Sequence, residues 1–465
     1  MLEQQFPEMQ DSRPELLAYH YTEAGQHRDS VAYWQRAARQ AYERAALHES
    51  ESHVQHGLRS VAQLVDASER NQYELPLQIL LAAVCRVTKS HDASKVTDAL
   101  QRAQTLCEQV GDTSQLFSVL RSLWSIYIAR GHLATARELS ERLIELAQQQ
   151  QEPALLMEAN RDIGTSLFFL GEQTTAAWYF EESRRHDLKQ SAPTLIVMYG
   201  QGAEAPILLS YQAWSQWLRG YPDQALESMA QALFLAQQLD HIQSYSIYAS
   251  QCFTQVAAAT LHQWRREPDD AQRHVESGLA LADKLSGHVI TTPRGRTLQG
   301  WVLAQRERPK EGIDLLRRSM ADYRARGAVL TCTHMLAMLA ETYCQIGEID
   351  ESLQAVEEAL DLVDTYDERW WESDLYRLRA ELRLQRDASD ILPAAADLQR
   401  ALQVARQQEA KSLELRAAIG FARLLQQQNR ASEARQLLTP IFNWFTEGFD
   451  TVDLREAEVL LADLA

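Results

Sequence analysis

One recurring phrase constrains the fold of this chain more than any other feature. Its clearest copy is residues 336–360, LAMLAETYCQIGEIDESLQAVEEAL. Ala340 is small and lies seven positions before Gly347. Ser352 and Ala359 are also small, and they lie five and twelve positions after that glycine. Two helices joined by a tight turn cross closely, and small side chains at the crossing permit that approach. The phrase therefore predicts a helical hairpin with its turn at Gly347.

The same arrangement of small residues recurs along most of the chain. It resembles the tetratricopeptide repeat, in which two helices joined by a turn carry small residues at fixed positions. That repeat usually takes about 34 residues, whereas the spacing here is roughly 40 to 49, which predicts longer helices or longer connections. The candidate turns are Gly25, Gly131, Gly171, Gly220, Arg266, Glu307, Gly347 and Asn429.

Composition favours helices over sheets. Glycine (18) and proline (12) are scarce in 465 residues, which argues against all-β and linker-rich architectures. We therefore predict an all-α fold, an α-solenoid of about ten helix-turn-helix repeats, which the resemblance implies is right-handed. The net charge of −18 comes without any clustered stretch of lysine and arginine, and duplex binding needs such clusters. Direct contact with nucleic acid is therefore not expected.

The periodicity is interrupted once, and this interruption sets the predicted domain organisation. The segment 190–206, QSAPTLIVMYGQGAEAP, carries two prolines and two glycines and is expected to form a break or loop. Its glycines lack the preceding strand that a phosphate-binding loop requires. We predict an N-terminal tail over 1–13, repeats over 14–189 and 207–450, and a capping helix over 451–465.

Cysteine usage and hydropathy indicate the compartment. Five cysteines are widely spaced without a CxxC pair, which predicts free thiols in a reducing environment. The first residues lack a basic stretch followed by an apolar run, and no stretch of eighteen apolar residues occurs. The expectation is a cytoplasmic chain without a membrane partner.

Several longer phrases extend the resemblance. They are PELLAYHYTEAG, GYPDQALESMAQAL, DERWWESDLYRLRAEL, AKSLELRAA and WFTEGFDTVDLREAEVLL. These phrases look like the C-terminal tetratricopeptide region of large bacterial signalling proteins, in which a nucleotide cyclase or other effector precedes a STAND-type ATPase. The maltose-type transcription regulators use a related layout. The resemblance covers nearly all of the chain from Pro14 to Leu464, and it leaves open whether the chain is a stand-alone module or a piece of a longer protein.

The residues that would carry enzymatic chemistry do not form a recognisable set. No G-x-x-x-x-G-K-[ST] loop occurs, so ATPase activity is not carried over from the resemblance. His48, His53 and His56 have a spacing that suits a transition metal, but no cysteine joins them and surface histidines are the favoured interpretation. We predict neither an enzyme nor a metal or cofactor.

The predicted binding surface is the concave groove of the solenoid. In the repeat register, positions six and ten before each turn, and two or three before it, point into this channel. Tryptophan and arginine are enriched at binding hot spots, although core packing is the alternative for each single tryptophan. Trp34, Trp178 and Trp444 lie outside this register and are predicted to be core. The predicted groove residues are Arg121, Glu158, Arg161, Phe168, Trp214, Trp217, Trp264, Arg294 and Trp301.

Two functions from different classes remain open at this point. The leading hypothesis is a non-enzymatic scaffold that binds a protein or peptide through its groove in bacterial signalling, because a curved stack of helices offers a long surface and little chemistry. The alternative, which the resemblance implies, is a small-molecule sensor that regulates a STAND-type ATPase or a cyclase. Self-association through the ends of the array is a third possibility.

Overall fold

The computed structural model describes residues 12–44, 46–87, 93–185, 204–239, 245–284 and 291–464. These residues form 22 helices, and no strand occurs among them. The chain divides into two compact units, residues 1–126 (unit 1) and 127–465 (unit 2). The boundary falls inside a helix, before its last residues.

Unit 1 contains five helices and most of a sixth. Its core is formed by Val31, Val54 and Leu77, which are completely buried. Trp34 is also buried, as predicted, and its indole N–H donates a hydrogen bond to the Thr22 hydroxyl at 3.1 Å. The helices are α1 (Pro14–Glu23), α2 (His27–Glu43), α3 (Leu47–Val61), α4 (Ala67–Val87), α5 (Ala93–Val110) and α6 (Thr113–Ala129).

Unit 2 begins with the end of α6 and continues through sixteen helices, most of them paired as hairpins. The first helices of consecutive hairpins also pack side by side, so they form one layer and the second helices form another. The helices are α7 (Leu133–Gln150), α8 (Pro153–Leu170), α9 (Gln173–Arg185), α10 (Glu204–Leu218), α11 (Pro222–Gln238), α12 (Tyr245–Trp264), α13 (Pro268–Lys284), α14 (Thr291–Gln305), α15 (Pro309–Ala325), α16 (Cys332–Gln345), α17 (Ile349–Tyr366), α18 (Glu372–Arg386), α19 (Ile391–Gln407), α20 (Lys411–Gln427), α21 (Ala431–Phe442) and α22 (Val452–Asp463).

The hairpin turns lie where the sequence predicts them. All eight predicted turn residues have positive φ, between 59° and 91°, which is the left-handed conformation that ends many helices. Five are glycines, and Arg266, Glu307 and Asn429 adopt this conformation despite their side chains. The hairpin of α18 and α19 differs, because its turn is closed by Asp387, which accepts a hydrogen bond from the Ser389 backbone at 2.8 Å. The prediction of an all-α solenoid built from helical hairpins is confirmed.

Small residues bring the paired helices together. A Cβ atom added to Gly300 on α14 would lie 2.9 Å from the carbonyl oxygen of Gly312 on α15, and the reverse contact would be 2.5 Å. In the hairpin of α16 and α17, the buried Ser352 hydroxyl donates a hydrogen bond to the Ala340 carbonyl at 2.6 Å. Larger side chains at these positions would separate the helices.

In unit 2, helix ends that are far apart in sequence meet along a line that we call the seam. Four backbone carbonyls at the ends of first helices accept hydrogen bonds there, although such carbonyls have no partner within their own helix. Ser412 donates to the Trp217 carbonyl at 2.5 Å across 195 residues of chain, which is about five hairpins. The other donors are the Val329 and Leu330 amides to Ala129, the Arg369 and Trp370 amides to Phe169, and the Arg416 guanidinium to Trp264.

The seam closes the first helices of unit 2 around an interior that we call the bore. Because the chain returns on itself after about five hairpins, residues in the first helices of one superhelical turn contact loops and helices of the next. Side chains that face this interior are therefore covered.

Two predicted core tryptophans lie at the surface instead. Trp178 retains 56% of its exposure and Trp444 retains 37%. Trp178 lies on α9, in the outer layer, and Trp444 follows α21 and packs its ring on Phe445 and over the Lys411 ammonium. The prediction that these two are core residues is wrong, because repeat position alone does not tell which second-helix residues a neighbouring hairpin covers.

The predicted break at 190–206 lies mostly outside the described residues. Its last three positions, Glu204 to Pro206, form the first turn of α10. At the other end of the array, α22 packs Leu454, Ala457 and Leu460 into the core formed with α20 and α21, where the capping helix is predicted. In the part of the chain that the structure describes, no helix combines the length and hydropathy needed to cross a bilayer.

Candidate functional site: an arginine-lined pocket in the bore of unit 2

The bore is filled along part of its length by stacked aromatic rings. Trp264 is completely buried at its centre, with ring centroids of Trp217 at 5.1 Å and of Trp371 at 5.5 Å. Such distances are favourable for aromatic pairs, which contribute beyond the area that they bury. We call this set the aromatic cluster: Phe168, Phe169, Tyr211, Trp214, Trp217, Phe253, Trp264, His334, Trp370 and Trp371.

The aromatic cluster joins the two sides of the seam. Trp370 and Trp371 precede α18, and they stack against rings from α8, α10 and α12 that lie one superhelical turn earlier. Trp214 and Trp264 also bond through their indole N–H groups, to the Ala257 carbonyl at 3.0 Å and to His334 at 3.2 Å. The cluster is therefore a core that holds the closed superhelical turn together.

The structure brings most of the predicted groove residues into this interior. Phe168, Trp214, Trp217 and Trp264 are members of the aromatic cluster and are at most 2% exposed. The guanidinium of Arg294 lies over the Trp214 ring at 5.4 Å. An open channel does not pass along these rings, because the next superhelical turn covers them. Binding of a ligand at these residues stays a prediction.

The remaining predicted residues lie elsewhere. Glu158 and Arg161 are buried on α8, where Arg161 pairs with Asp162 and Glu204. Arg121 is half-buried in unit 1. Trp301 on α14 is the predicted residue that faces unfilled space, a pocket at the end of the aromatic cluster.

This pocket has a volume of about 280 Å³ and lies within the bore. It is formed by the first helices α12, α14, α16, α18 and α20, together with the residues that follow α12 and precede α18. Its polar lining is unusually charged for an interior space. The polar and aromatic lining residues are Gln263, Arg266, Trp301, Gln305, His334, Glu341, Cys344, Gln345, Trp371, Arg377, Glu381 and Arg416, and the apolar ones are Ala337, Met338 and Leu378.

Arg377 is the best-neutralised of the three pocket arginines. Its Nε lies 2.7 Å from Asp374, and its Nη1 lies 2.8 Å from Glu381. Asp374 is itself buried; although burial opposes ionisation, the Arg377 guanidinium lowers the pKa of Asp374 to about 2. A buried ion pair of this kind is costly to break on one side, so Arg377 and Asp374 form a fixed wall of the pocket.

Arg416 and Arg266 connect the pocket to the seam. Arg416 donates from Nε to Asp453 on α22 at 2.8 Å, and it also donates to the Trp264 carbonyl. Arg266, in the left-handed turn after α12, donates to Glu456 on α22 at 2.9 Å. Both guanidiniums thus hold α22 against the end of α12.

Glu341 is the pocket carboxylate with the weakest pairing. Its nearest cation is Nη2 of Arg377 at 3.9 Å, and about a third of its side chain (35%) remains exposed. Burial, and next the charge of Asp374, raise the pKa of Glu341. Glu341 is therefore the lining carboxylate without a close hydrogen-bonded cation among the described residues.

Two buried polar groups of the aromatic cluster also line the pocket. The Trp371 side chain is 2% exposed, and its indole N–H has no acceptor among the described residues. His334 is neutral, because burial, assisted by Arg294, lowers its pKa to about 3. Its Nε2 atom lies 3.2 Å from the Trp264 indole nitrogen and 2.9 Å from the side-chain oxygen of Gln263. An unpaired buried donor costs free energy, so an acceptor in the pocket would be favourable beside Trp371.

The pocket lacks the features of a catalytic centre in its described lining. Cys344 bonds the Gln385 amide at 3.0 Å, and burial raises the pKa of this thiol, so it is not an activated nucleophile. His334 is held as a neutral hydrogen-bonding group. The arrangement suits binding through charge and hydrogen bonds rather than proton transfer.

A second group of potential metal ligands lies on the other side of α12. The side-chain ligand atoms of His262, Glu267 and Asp270 lie within 4.8 Å of one another. Glu267 already accepts a hydrogen bond from Arg265 at 2.9 Å, and Asp270 pairs with Arg273. Because both carboxylates have arginine partners, charge balance here does not require a cation.

Of the three predicted surface histidines, His48 is exposed, whereas His53 and His56 are half-buried. Both half-buried rings pack on Trp34, with centroid distances of 5.4 Å for His53 and 4.7 Å for His56. The surface interpretation therefore holds for His48 alone.

Sequence reasoning missed Arg377, Glu381 and Arg416. The first two lie ten and six positions before Asp387, which are groove positions in the repeat register. They were not assigned because no glycine or small-residue signature marks that turn. Arg416 lies thirteen positions before Asn429, the same offset that Glu158 and Arg294 have from their turns, and its contact with the Trp264 carbonyl places it in the bore.

Comparisons with known proteins give distant relatives. No protein-family model matches the chain. An uncharacterized protein of Rhizobium meliloti is 22% identical over 409 residues, which cover 86% of this chain and 38% of that protein. The chain thus spans about two fifths of the length of this relative.

Three solved structures resemble the chain in fold. A Rap protein complexed with competence and sporulation factor is 12% identical, covers 94% of this chain and 100% of its own, and has a TM-score of 0.48. A tetratricopeptide repeat protein from Parabacteroides merdae is 14% identical, with coverages of 65% and 99% and a TM-score of 0.34. The APC/C hetero-tetramer Cut9–Hcn1 is 12% identical, with coverages of 86% and 89% and a TM-score of 0.39.

Proposed function

We propose that this chain is a non-enzymatic sensor module in which the arginine-lined pocket binds a small polar ligand. The observation that supports this most is the space itself: about 280 Å³ in the bore, partly open to solvent and lined by charged groups. Ligand sites for small molecules are concave and carry a few convergent polar groups, and they start at about 300 Å³. The pocket is near the lower end of that range.

The position of the pocket supports a regulatory role. Arg266 and Arg416 line it and also hold α22 against the end of α12. A ligand that contacts these guanidiniums would change the free energy of closing the superhelical turn. Differential binding of this kind is what shifts a conformational equilibrium. The bacterial signalling context and the cytoplasmic location are part of this proposal and rest on the resemblance to sensor regions of bacterial signalling proteins.

The proposal is tested with the small molecules of a bacterial lysate. These are obtained as a filtrate by passing the lysate through a membrane that retains proteins. The purified chain is mixed with this filtrate, and native mass spectrometry identifies bound small molecules. Gln305 is exposed at the pocket, so Gln305→Trp is expected to obstruct it with little effect on folding. Gln354→Trp places the same residue at an exposed position of α17 outside the pocket and serves as the matched control.

We expect a compound that binds the wild-type chain and Gln354→Trp but not Gln305→Trp. If no retained compound distinguishes the two variants, the pocket is not a ligand site and the proposal is wrong. Circular dichroism of both variants verifies that the helices are intact.

Protein binding is a second candidate, supported by exposed aromatic side chains in the outer layer. Trp178 on α9 and Phe234 on α11 are 56% and 60% exposed, on second helices of consecutive hairpins. Large exposed apolar residues are candidates for partner contacts. A partner that binds there would lose affinity in Trp178→Ala and Phe234→Ala but not in Gln305→Trp, which separates this function from the sensor.

A further inference from the structure

The described lining of the arginine pocket carries both signs of charge; the three guanidiniums have carboxylate partners, whereas Glu341 has no cation within hydrogen-bond distance among the described residues. This inference rests on the proposed sensor function and concerns the chemistry of the ligand. Three guanidiniums and two partly exposed carboxylates, Glu341 and Glu381, line the space. A ligand with several charges of one sign would be repelled by part of this wall.

The pocket favours a ligand that places an acidic group, as a hydrogen-bond acceptor, near Trp371. The indole N–H of Trp371 is buried and has no acceptor among the described residues. Arg416 already donates from Nε to Asp453 and from Nη2 to the Trp264 carbonyl. The two Nη atoms of Arg266 are paired with Glu456 and Asp453. A carboxylate would add charge-assisted hydrogen bonds to these guanidiniums and complete the hydrogen bonding of the indole.

The pocket also favours a ligand that places a basic group, as a hydrogen-bond donor, near Glu341. This carboxylate is 3.9 Å from its nearest cation, beyond hydrogen-bond distance, whereas Glu381 accepts from Arg377 at 2.8 Å. Trp301 lines the same space, and the face of an indole ring attracts cations. An ammonium group would therefore find both a carboxylate and an aromatic wall.

Size and polarity narrow the ligand further. A pocket of about 280 Å³ lies just below the range of about 300–1,000 Å³ that holds drug-sized ligands, which favours a ligand smaller than those. Met338, Leu378 and Ala337 provide an apolar part of the wall, which suits a carbon side chain.

We propose that the pocket binds a small zwitterion, a free α-amino acid, with its carboxylate at Arg266, Arg416 and the Trp371 N–H and its ammonium at Glu341. The same paired chemistry is present at the ends of a very short peptide, so the experiment includes both sources. No covalent step is involved.

The experiment measures binding of the twenty L-amino acids and of glycylglycine to the full chain, by thermal shift and then by calorimetry. For the tightest amino acid, two analogues are added: the amide, which lacks the carboxylate, and the carboxylic acid without the amine. We expect each analogue to bind about ten-fold or more weakly, because each loses a charge-assisted contact. Preferential binding of glycylglycine would assign the site to a peptide instead and overturn the amino-acid proposal.

Glu341→Gln provides an independent test within the protein. It preserves shape, removes the charge of Glu341 and is expected to weaken amino-acid binding by about ten-fold or more while leaving the affinity for the amine-free analogue unchanged. Glu351→Gln on α17 makes the same change at an exposed position outside the pocket and is expected to bind like the wild-type chain.

The proposal of a zwitterionic ligand would be overturned if an analogue bound as tightly as the parent amino acid. It would also be overturned if no amino acid bound. Failure here is distinguishable from failure of the sensor function. If the lysate filtrate yields a ligand that Gln305→Trp loses, the sensor function stands even when every amino acid fails to bind.

Discussion

The bore of unit 2 contains two neighbouring regions that share His334 and Trp371 but differ in what fills them. In the aromatic cluster, buried rings pack against one another across the seam. In the arginine pocket, the side chains are charged and must keep particular partners, so they leave about 280 Å³ unfilled. Apolar side chains can pack against any apolar neighbour, whereas charged ones need specific geometry. The first region therefore stabilises the closed turn, and the second is available for recognition.

The difference between the two regions is tested most strongly by removing Trp264, the central ring of the aromatic cluster. Trp264→Ala is expected to lower the free energy of unfolding by about 3–5 kcal/mol, because the ring is completely buried and its loss leaves a cavity. Urea unfolding followed by circular dichroism measures the change. Trp178→Ala removes the same side chain from a position that is 56% exposed, and its effect should stay within about 0.5 kcal/mol. Equal effects would contradict the assignment of Trp264 to the core.

The seam can be tested by comparing two glycines with the same backbone conformation. A Cβ atom on Gly220 would lie 2.6 Å from the Trp444 ring and 2.8 Å from Lys411, whereas one on Gly347 would meet nothing within 4 Å. Both variants should lose about 1–2 kcal/mol of stability, because alanine is strained in the left-handed backbone conformation. Gly220→Ala should lose about 1–3 kcal/mol more through overlap. Thermal unfolding of both variants measures the difference in stability. Equal losses of stability would mean that Trp444 and Lys411 move aside without cost.

The loop that carries Trp370 is expected to make stability depend on pH through Glu368. This buried carboxyl accepts hydrogen bonds from Thr333 at 2.7 Å and from Trp370 at 2.8 Å, yet burial outweighs them and raises its pKa to about 7. Because this value lies above the ordinary 4.5, the contribution of Glu368 is complete below pH 4.5 and is lost as the pH rises through 7.

Glu368→Gln should remove this dependence. Between pH 4.5 and 7 the wild-type chain is expected to lose up to about 1.4 kcal/mol per pH unit from this one group, and the variant should lack that component. Unfolding free energies across this range, with Glu351→Gln as the exposed control, measure it. The same slope in all three proteins would show that Glu368 is ionised throughout.

The smallest expected effect isolates a single hydrogen bond of the seam. Ser412→Ala removes the donor to the Trp217 carbonyl and should cost about 0.5–1.5 kcal/mol. Amide hydrogen exchange should increase around residues 217 and 412 together, although 195 residues separate them in sequence. An increase on one side alone would argue that the seam does not couple them.

The sequence predicted local features of this fold better than the contacts between distant repeats. Turn positions such as Gly171 and Asn429 were identified because small residues recur at fixed distances from them, and that signal is local. The closing of the seam depends on the rotation between successive hairpins, and small differences accumulate over five of them. The repeat register assigned Trp214 and Trp264 to a groove, and it did not reveal that Trp370 and Trp371 lie against the Trp264 ring.

Four of the five phrases that suggested the resemblance lie where distant contacts are made. GYPDQ, RWWE, AKSLELRAA and EGFDTVDL include residues of the seam, the aromatic cluster or the α22 contacts. Residues in these phrases must match partners far away in sequence as well as the next repeat. The pocket was harder to predict. Arg377 and Glu381 occupy groove positions of a turn that lacks the glycine signature, and Arg416 lies thirteen positions before its turn, as Glu158 and Arg294 do.

The seam also has a consequence for how the chain is synthesised. In most repeat proteins each repeat contacts only its neighbours and folds as it leaves the ribosome. Here the backbone carbonyl of Trp217 at the end of α10 does not meet its donor Ser412 until 195 residues further along, and the Trp217 ring must also wait for Trp371. At about 5–20 residues per second, this interval lasts roughly 10–40 s. During that time several indoles are uncovered, which makes the nascent chain a substrate for chaperones until the second superhelical turn arrives.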